Sequence, residues 1–380
     1  MIYLLILIYS LTLSFVYDFG NLRIGKKMNL LIVFMVLVSL SGFRYRIGGD
    51  SYFYIKMYEY LPTLPELSSI ELGVSKLQPL WLLLNAISRT ISPDFFVFQL
   101  LHALIVNSII FYFFRKYTKY VFTAVLLYFI GFYGYFNFEI LRESLAICVF
   151  LLSLEFFVKK KWLRYYVLVF VAFGFHYSAI LLFILPLLKR IPINFFSILI
   201  IIVIGAFLNT FFLSFINSLS GNNGFFMSLE NYGDYNYTIW GLVGIIVLYV
   251  LYPFIVMNAS TNFLNIKNSL YPFLRFFILI GAFCSLFYIF FRFRNYFTPI
   301  FFVFLTEVVH SIFRNKKIKE FRKIISFLIL FFFAFMHSYK YFSDTSEKVD
   351  SSRWYSLWYP YNSIFDKDTD PTRERLFNEL

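Results

Sequence analysis

A chain of 380 residues that is 60% hydrophobic and only 14% charged, with 55 Phe and 30 Tyr, departs from soluble domains, where about a quarter of residues are charged. Its net charge of +13 raises nucleic acid as a partner, but the basic residues fall in short clusters between apolar runs and form no continuous basic face, so nucleic acid is excluded. Apolar runs of roughly 17–25 residues, the length that crosses a bilayer as helix, recur from end to end and predict an all-α, polytopic transmembrane helical bundle of about 10–12 spans with short re-entrant or interfacial helices. No stretch is long and polar enough for a separate soluble domain, so residues 1–380 are expected to form a single integral membrane domain.

The first apolar run, Met1 to Tyr17, lacks a basic leader and a small-residue cleavage pattern and reads as a retained span. In chain order, spans are expected near residues 2–18, 28–43, 95–114, 121–137, 139–158, 194–216, 238–257, 271–291, 295–313 and 324–342. Leu80 to Ile91 is too short to cross and is expected to be re-entrant or interfacial within an outer segment, 44–94. Tyr165 to Leu188 is expected to enter and return as a broken hairpin or a pair of short helices. The basic connectors Arg23/Lys26/Lys27, Arg115/Lys116/Lys119, Lys159/Lys160/Lys161/Arg164, Lys189/Arg190 and Arg314 to Lys323 then all lie in the cytoplasm. Both termini, the loops 44–78 and 217–237, the turn after Phe291 and the tail 343–380 are left outside, where Glu230, Asp234, Asp344, Asp350, Asp366, Asp368 and Asp370 make the surface acidic. Cys148 and Cys284 fall inside apolar runs with no metal or disulfide spacing and are expected to be packing residues.

Polar chemistry collects on the expected outer side. Arg44-Tyr45-Arg46-Ile47-Gly48-Gly49-Asp50 stands where the second span ends. In an extended backbone Arg44 and Arg46 point the same way, and two convergent guanidiniums suit phosphate or pyrophosphate; the alternative is a snorkelling pair gripping headgroups. Glu139, Arg142 and Glu143 are spaced to share one helical face, with Arg142 holding an anion beside a carboxylate base, or else forming a self-neutralising ion pair. Glu155, deeper, reads as a structural partner for Lys159. His176 interrupts an apolar run and is placed to accept a proton, or is a hydrogen-bonded core histidine. His102 and His337 have no acidic or His partner at metal spacing and receive no role. Arg292 and Tyr296 share a helical face while Arg294 points away, so Arg292 is the expected cavity-lining arginine. Arg275, nearer the cytoplasmic end, is expected to snorkel. No phosphate loop, nucleophile elbow, metal constellation or paired acidic motif is found, so neither a cofactor nor a metal is expected, and ATP-driven transport is disfavoured.

In order along the chain, these motifs resemble a known family. Phe43 to Tyr52 resembles the "RY-x-x-G-x-D-x-x-x-Y" opening of the EpsG family of bacterial polysaccharide-biosynthesis membrane proteins, related to Wzy-type repeat-unit polymerases. Leu141-Arg142-Glu143-Ser144-Leu145-Ala146 is similar to its "R-x-x-(I/L)-A" helix start, Phe175-His176-Tyr177-Ser178-Ala179 to its "F-H-x-S/T-A" hairpin, Arg292 to Tyr296 to its "R-x-x-x-Y" element and Tyr359-Pro360-Tyr361 to its "PY" segment. Gly49 departs from the Thr or Ser frequent in the family and leaves the arginines and the acid in place. The resemblance implies joining of undecaprenyl-pyrophosphate-linked oligosaccharides into O-antigen, capsule or exopolysaccharide at the outer face of the bacterial cytoplasmic membrane. The bilayer and a chain-length regulator are the further partners it implies.

On that reading Arg44, Arg46, Arg142 and Arg292 bind pyrophosphate, a leaving group that arginines can stabilise without metal. His176, Asp50 or Glu143 is the base for the acceptor hydroxyl. Tyr52, Tyr296 and Trp358 stack on sugars, with Trp354 and Tyr359 nearby; the alternative for the aromatics is an interfacial belt. Two other functions compete: a membrane glycosyltransferase using a polyprenyl-phosphate sugar, and a flippase or other transporter of lipid-linked oligosaccharide. A transporter exposes charge to both sides in turn, and the candidate residues here collect on one.

Overall fold

A computed structural model of the chain describes residues 1–69, 77–188, 194, 196–201, 239–266, 268–287, 290–315, 321–343 and 354–379. Most of the expected 194–216 span, the 217–237 loop with Glu230 and Asp234, Lys189 and Arg190, residues 316–320 of the last basic connector, Asp344, Asp350 and the Trp354 side chain lie outside what is described. Among the described residues the chain forms helix after helix and no strand, with one isolated antiparallel bridge between Arg44 and Ser363. An apolar run in hydrocarbon has no water for its backbone, so it closes its own hydrogen bonds as helix. Among the described residues, four helices are long and apolar enough to cross a membrane: α1 (Ile2–Phe19), α5 (Phe95–Tyr117), α10 (Gly241–Asn262) and Phe321–Tyr339 within α14 (Phe321–Ser343). The architecture is an all-α membrane bundle.

The described residues cluster into two compact units. The first comprises Met1–Phe156, Trp162–Ala179 and Val309–Leu380. In it α2 (Lys26–Gly42) lies along α5. Gly42 permits this approach, since a Cβ there would stand 2.8 Å from Leu100 Cδ1 and 3.2 Å from Leu100 Cα. Next come α3 (Ser51–Tyr60) and α4 (Pro79–Ile91), only 13 residues long. The helix α6 (Val121–Tyr133) widens into π turns at Phe129–Tyr133 and Tyr135–Glu139, breaks at Ile140, and gives way to α7 (Leu141–Val158). After α8 (Trp162–Phe175) the chain breaks at His176 and resumes as α9 (Tyr177–Leu188), whose first part, Tyr177–Ile184, is 3₁₀.

Polar groups inside this unit bond to one another. Asn107 Nδ2 donates to Asn137 Oδ1 at 3.0 Å, and Asn137 Nδ2 to the Tyr128 hydroxyl at 2.7 Å. Near the basic loops, buried Asp18 accepts the Thr123 N–H at 2.8 Å and pairs with Lys26 at 3.5 Å. The Thr123 hydroxyl also lies 2.8 Å from His310 Nε2. Glu155 pairs with Lys116 of α5.

The second unit comprises Phe157–Lys161 and Ile180–Val308. It contains α10, α11 (Tyr271–Cys284), α12 (Phe290–Asn295) and the start of α13 (Thr298–Arg314). Phe277 stacks on Phe301 with centroids 5.0 Å apart. The cysteines, Cys148 in the first unit and Cys284 in the second, are buried and form no disulfide.

Candidate functional site

Loop 44–50 leaves the end of α2 and is held along its length by the C-terminal segment. Ile364 N–H donates to Phe43 O, Tyr45 N–H to Asn362 O and Gly48 N–H to Leu357 O, each at 2.9 Å. From α5, Gln99 Nε2 donates to Arg44 O at 3.0 Å. Two residues take positive φ, Arg46 at 51° and Gly48 at 104°. At Gly48 a Cβ would also press within 2.9 Å of Phe138 Cβ, so the turn requires glycine.

This turn separates the two arginines that an extended backbone would align. Arg44 is fully buried. Its Nη1 donates to Ser41 O at 2.5 Å and its Nε to Ile47 O at 3.3 Å, while the guanidinium lies 5.0 Å from the Phe138 ring centroid. It thus caps the carbonyl end of α2, where positive charge is favoured. Burial lowers its pKa to about 10, so it is charged at neutral pH.

Arg46 turns the other way, to α15 (Pro371–Glu379). Its Nε donates to Glu374 Oε1 at 2.8 Å and its Nη2 to Glu374 Oε2, a two-point pair. The guanidinium covers Tyr52 at 4.7 Å, and Tyr52 stacks on Phe377 at 5.7 Å. Lys56 Nζ also stands 4.1 Å from the Tyr52 ring. Beneath α15, buried Arg373 donates to the carbonyls of Ser356 and Pro360 and, at 3.4 Å, of Arg46. Trp358 packs against Leu357, Leu376 and Phe377, and its carbonyl accepts the Tyr3 hydroxyl at 2.9 Å. Tyr52 and Trp358 are both half-buried.

The elbow between α6 and α7 supplies the acids. Glu139, Arg142 and Glu143 do not stack on one face, because the helix breaks at Ile140 (φ −94°, ψ 50°) and Glu139 belongs to the π turn before the break. Buried Glu139 instead accepts the N–H of Gly49 at 2.7 Å and of Asp50 at 3.0 Å. Successive backbone N–H groups ahead of a helix form an anion-binding nest; here the chain's own carboxylate fills it. Asp50 is exposed just before α3, while Glu143 is fully buried in α7.

Arg142, second in α7, is half-buried and lies 6.0 Å from the Tyr54 ring centroid. No hydrogen bond or ion pair ties its guanidinium to another described residue. His176 belongs to the same end of this unit. Gly174, two residues before it, abuts Leu80; the adjacent Trp81 lies 5.6 Å from Tyr54, the ring beneath Arg142. His176 Nδ1 is 2.6 Å from Ser178 Oγ.

Arg292 and Tyr296 lie in the second unit. Arg292, in α12, is half-buried; Tyr296 falls just past the helix end and is buried. Arg294, expected to point away, has its guanidinium 3.8 Å from the Tyr249 ring centroid. The first unit therefore gathers Arg44, Arg46, Asp50, Tyr52, Arg142, Glu143, His176 and Trp358. Sequence reasoning missed Glu139 as the clamp on loop 48–50, and Arg373 and Glu374 as partners of the Arg46 turn. Glu374 is 328 positions from Arg46, and no local spacing encodes that pair.

The sequence model of the EpsG family matches residues 27–363, most of the chain. No curated protein and no solved structure matches it.

Proposed function

Because the chain belongs to the EpsG family, a group of membrane proteins of polysaccharide biosynthesis, we propose that it joins polyprenyl-pyrophosphate-linked oligosaccharide repeat units into a surface polysaccharide at the outer face of the cytoplasmic membrane. The observation that carries this reading is Arg142: a half-buried guanidinium, on an aromatic floor, with no carboxylate of the described chain engaged to it. Arginine is suited to pyrophosphate by its planar fork and permanent charge. Placed at the leaving group, it stabilises the charge that develops as the glycosidic bond breaks.

The remaining residues take roles consistent with their burial. Exposed Asp50 is the base that receives the acceptor hydroxyl proton, whereas Glu143 is closed off. Arg44, Arg46 and Glu139 fix the loop that carries Asp50. Tyr52 and Trp358 offer half-buried rings for a sugar.

A deletion strain separates the three competing functions. Loss of a polymerase leaves single repeat units on lipid at the outer face, and loss of a flippase strands them inside. Loss of a glycosyltransferase that adds a sugar from polyprenyl phosphate leaves units short of that sugar. Units stranded inside, or units short of a sugar, would contradict the polymerase reading. Reporter fusions at Lys119 and Lys161 test its orientation: both are expected to report cytoplasm, and an external signal from either breaks it.

A further inference from the structure

At the break after α8, Ser178 contacts the ring of His176 twice. Its hydroxyl lies 2.6 Å from Nδ1, and its backbone N–H donates to Nδ1 at 3.2 Å. The hydroxyl contact alone leaves the ring's proton unassigned, because a serine oxygen both donates and accepts. The backbone contact decides it, since an amide N–H only donates and its target must be a lone pair. In neutral imidazole one nitrogen carries the proton and the other the lone pair. With the lone pair on Nδ1, the proton sits on Nε2.

The arrangement is rigidly built. His176 N–H continues α8 by donating to Ala172 O at 3.0 Å, and His176 O accepts the Ala179 N–H at 3.1 Å. Ser178 lies in the 3₁₀ turn that starts α9, which brings a donor two residues ahead back onto the ring.

We infer that Ser178 is a positioning residue that holds His176 as the Nε2–H tautomer, making His176 a hydrogen-bond donor to the leaving pyrophosphate and not the base for the acceptor hydroxyl. The inference rests on the polymerase reading for its substrate. In the transfer, the acceptor hydroxyl gives its proton to Asp50 as its oxygen bonds to the anomeric carbon. The bond from that carbon to the pyrophosphate oxygen breaks, and its electron pair leaves on the oxygen. Nε2–H donates a hydrogen bond to that oxygen while keeping its proton, and the lipid pyrophosphate departs as the anion. A donor aimed at a developing oxyanion is commonly worth about 10²–10³ in rate.

The test uses the full-length protein in lipid bilayers, with 15N-labelled histidine. The chain has four His, so the His176 signals are assigned by their loss in His176→Gln. At neutral pH the wild type is expected to show a lone-pair-type Nδ1 and a proton-bearing Nε2; the reverse pattern overturns the inference. Ser178→Ala keeps the backbone N–H and is expected to keep the wild-type pattern, whereas Ser178→Pro, which removes that donor, is expected to raise the Nδ1–H fraction; an unaltered spectrum in Ser178→Pro removes the Ser178 amide from the role.

Polymerisation of defined lipid-linked repeat units then reads the chemistry. His176→Ala and His176→Asn are expected to lose on the order of 10²-fold. His176→Gln, whose side-chain amide N–H reaches the Nε2 position, is expected to stay within about tenfold of wild type. Equal losses in Gln and Ala overturn the donor role and restore the base. A wild-type protein that forms no polymer defeats the polymerase reading, while the spectrum still decides the tautomer.

Discussion

Loop 44–50 carries two arginines in three residues, and α7 begins with a single one. In the loop both guanidiniums are engaged by the chain itself: Arg44 by the carbonyls of Ser41 and Ile47, Arg46 by Glu374. Even the amides of Gly49 and Asp50 are taken, by Glu139. At α7, Arg142 rests on Tyr54 without an ion pair among the described residues. The denser cluster is thus the internally engaged one, and on the proposed function the isolated arginine is the one left for a ligand. Engaged charges shape a scaffold, and an unengaged charge on the same scaffold is where an anion gains most.

Substitutions break this contrast in graded steps. The largest effect is expected from Arg44→Ala, which strips the end of α2 and vacates a fully buried volume. It should cost about 3–5 kcal/mol of stability, as for loss of one partner from a buried polar network. The readout is the thermal midpoint in detergent, and a midpoint at the wild-type value would move Arg44 out of the scaffold. Arg142→Ala is expected to act the opposite way, with wild-type stability but polymer formation reduced about 10²-fold, equivalent to roughly 2.7 kcal/mol in the barrier.

Glu139→Gln comes next. One amide oxygen can still accept, but the NH₂ faces the second backbone N–H, at a cost of about 1–3 kcal/mol. Limited proteolysis should then cut more readily around Gly48 and Gly49; protection equal to wild type would mean the clamp is dispensable. The smallest effect belongs to the Arg46–Glu374 pair, whose side chains are 19% and 32% exposed. A double-mutant cycle with Ala at both positions is expected to give a coupling of about 1 kcal/mol or less. A much larger coupling would place this pair in the same class as Arg44.

The all-α membrane architecture is legible in the lengths of the apolar runs, because a backbone in hydrocarbon has few alternatives to helix. The interruption at His176 is likewise visible in a local sequence that stops being uniformly apolar. The directions of the arginines are not. The expectation that Arg44 and Arg46 align assumed an extended backbone, and the positive φ at Arg46 arises beside hydrogen bonds from residues more than 300 positions away. The stacking of Glu139 with Arg142 assumed an unbroken helix, and the π turns ending at Glu139 detach it. Local periodicity marks where along the chain the charged residues fall, but pairing across the chain decides which of them the protein engages itself.

The most direct measurement compares wild type, Arg142→Ala and Arg46→Ala, each purified at full length and reconstituted in bilayers with a defined undecaprenyl-pyrophosphate-linked repeat unit. Polymer length and rate are read alongside thermal stability. The predicted result is near-complete loss of polymer for Arg142→Ala at unchanged stability, with Arg46→Ala retaining most of it. Full-length polymer from a stable Arg142→Ala protein would contradict the assignment of Arg142 as the guanidinium that holds the leaving pyrophosphate.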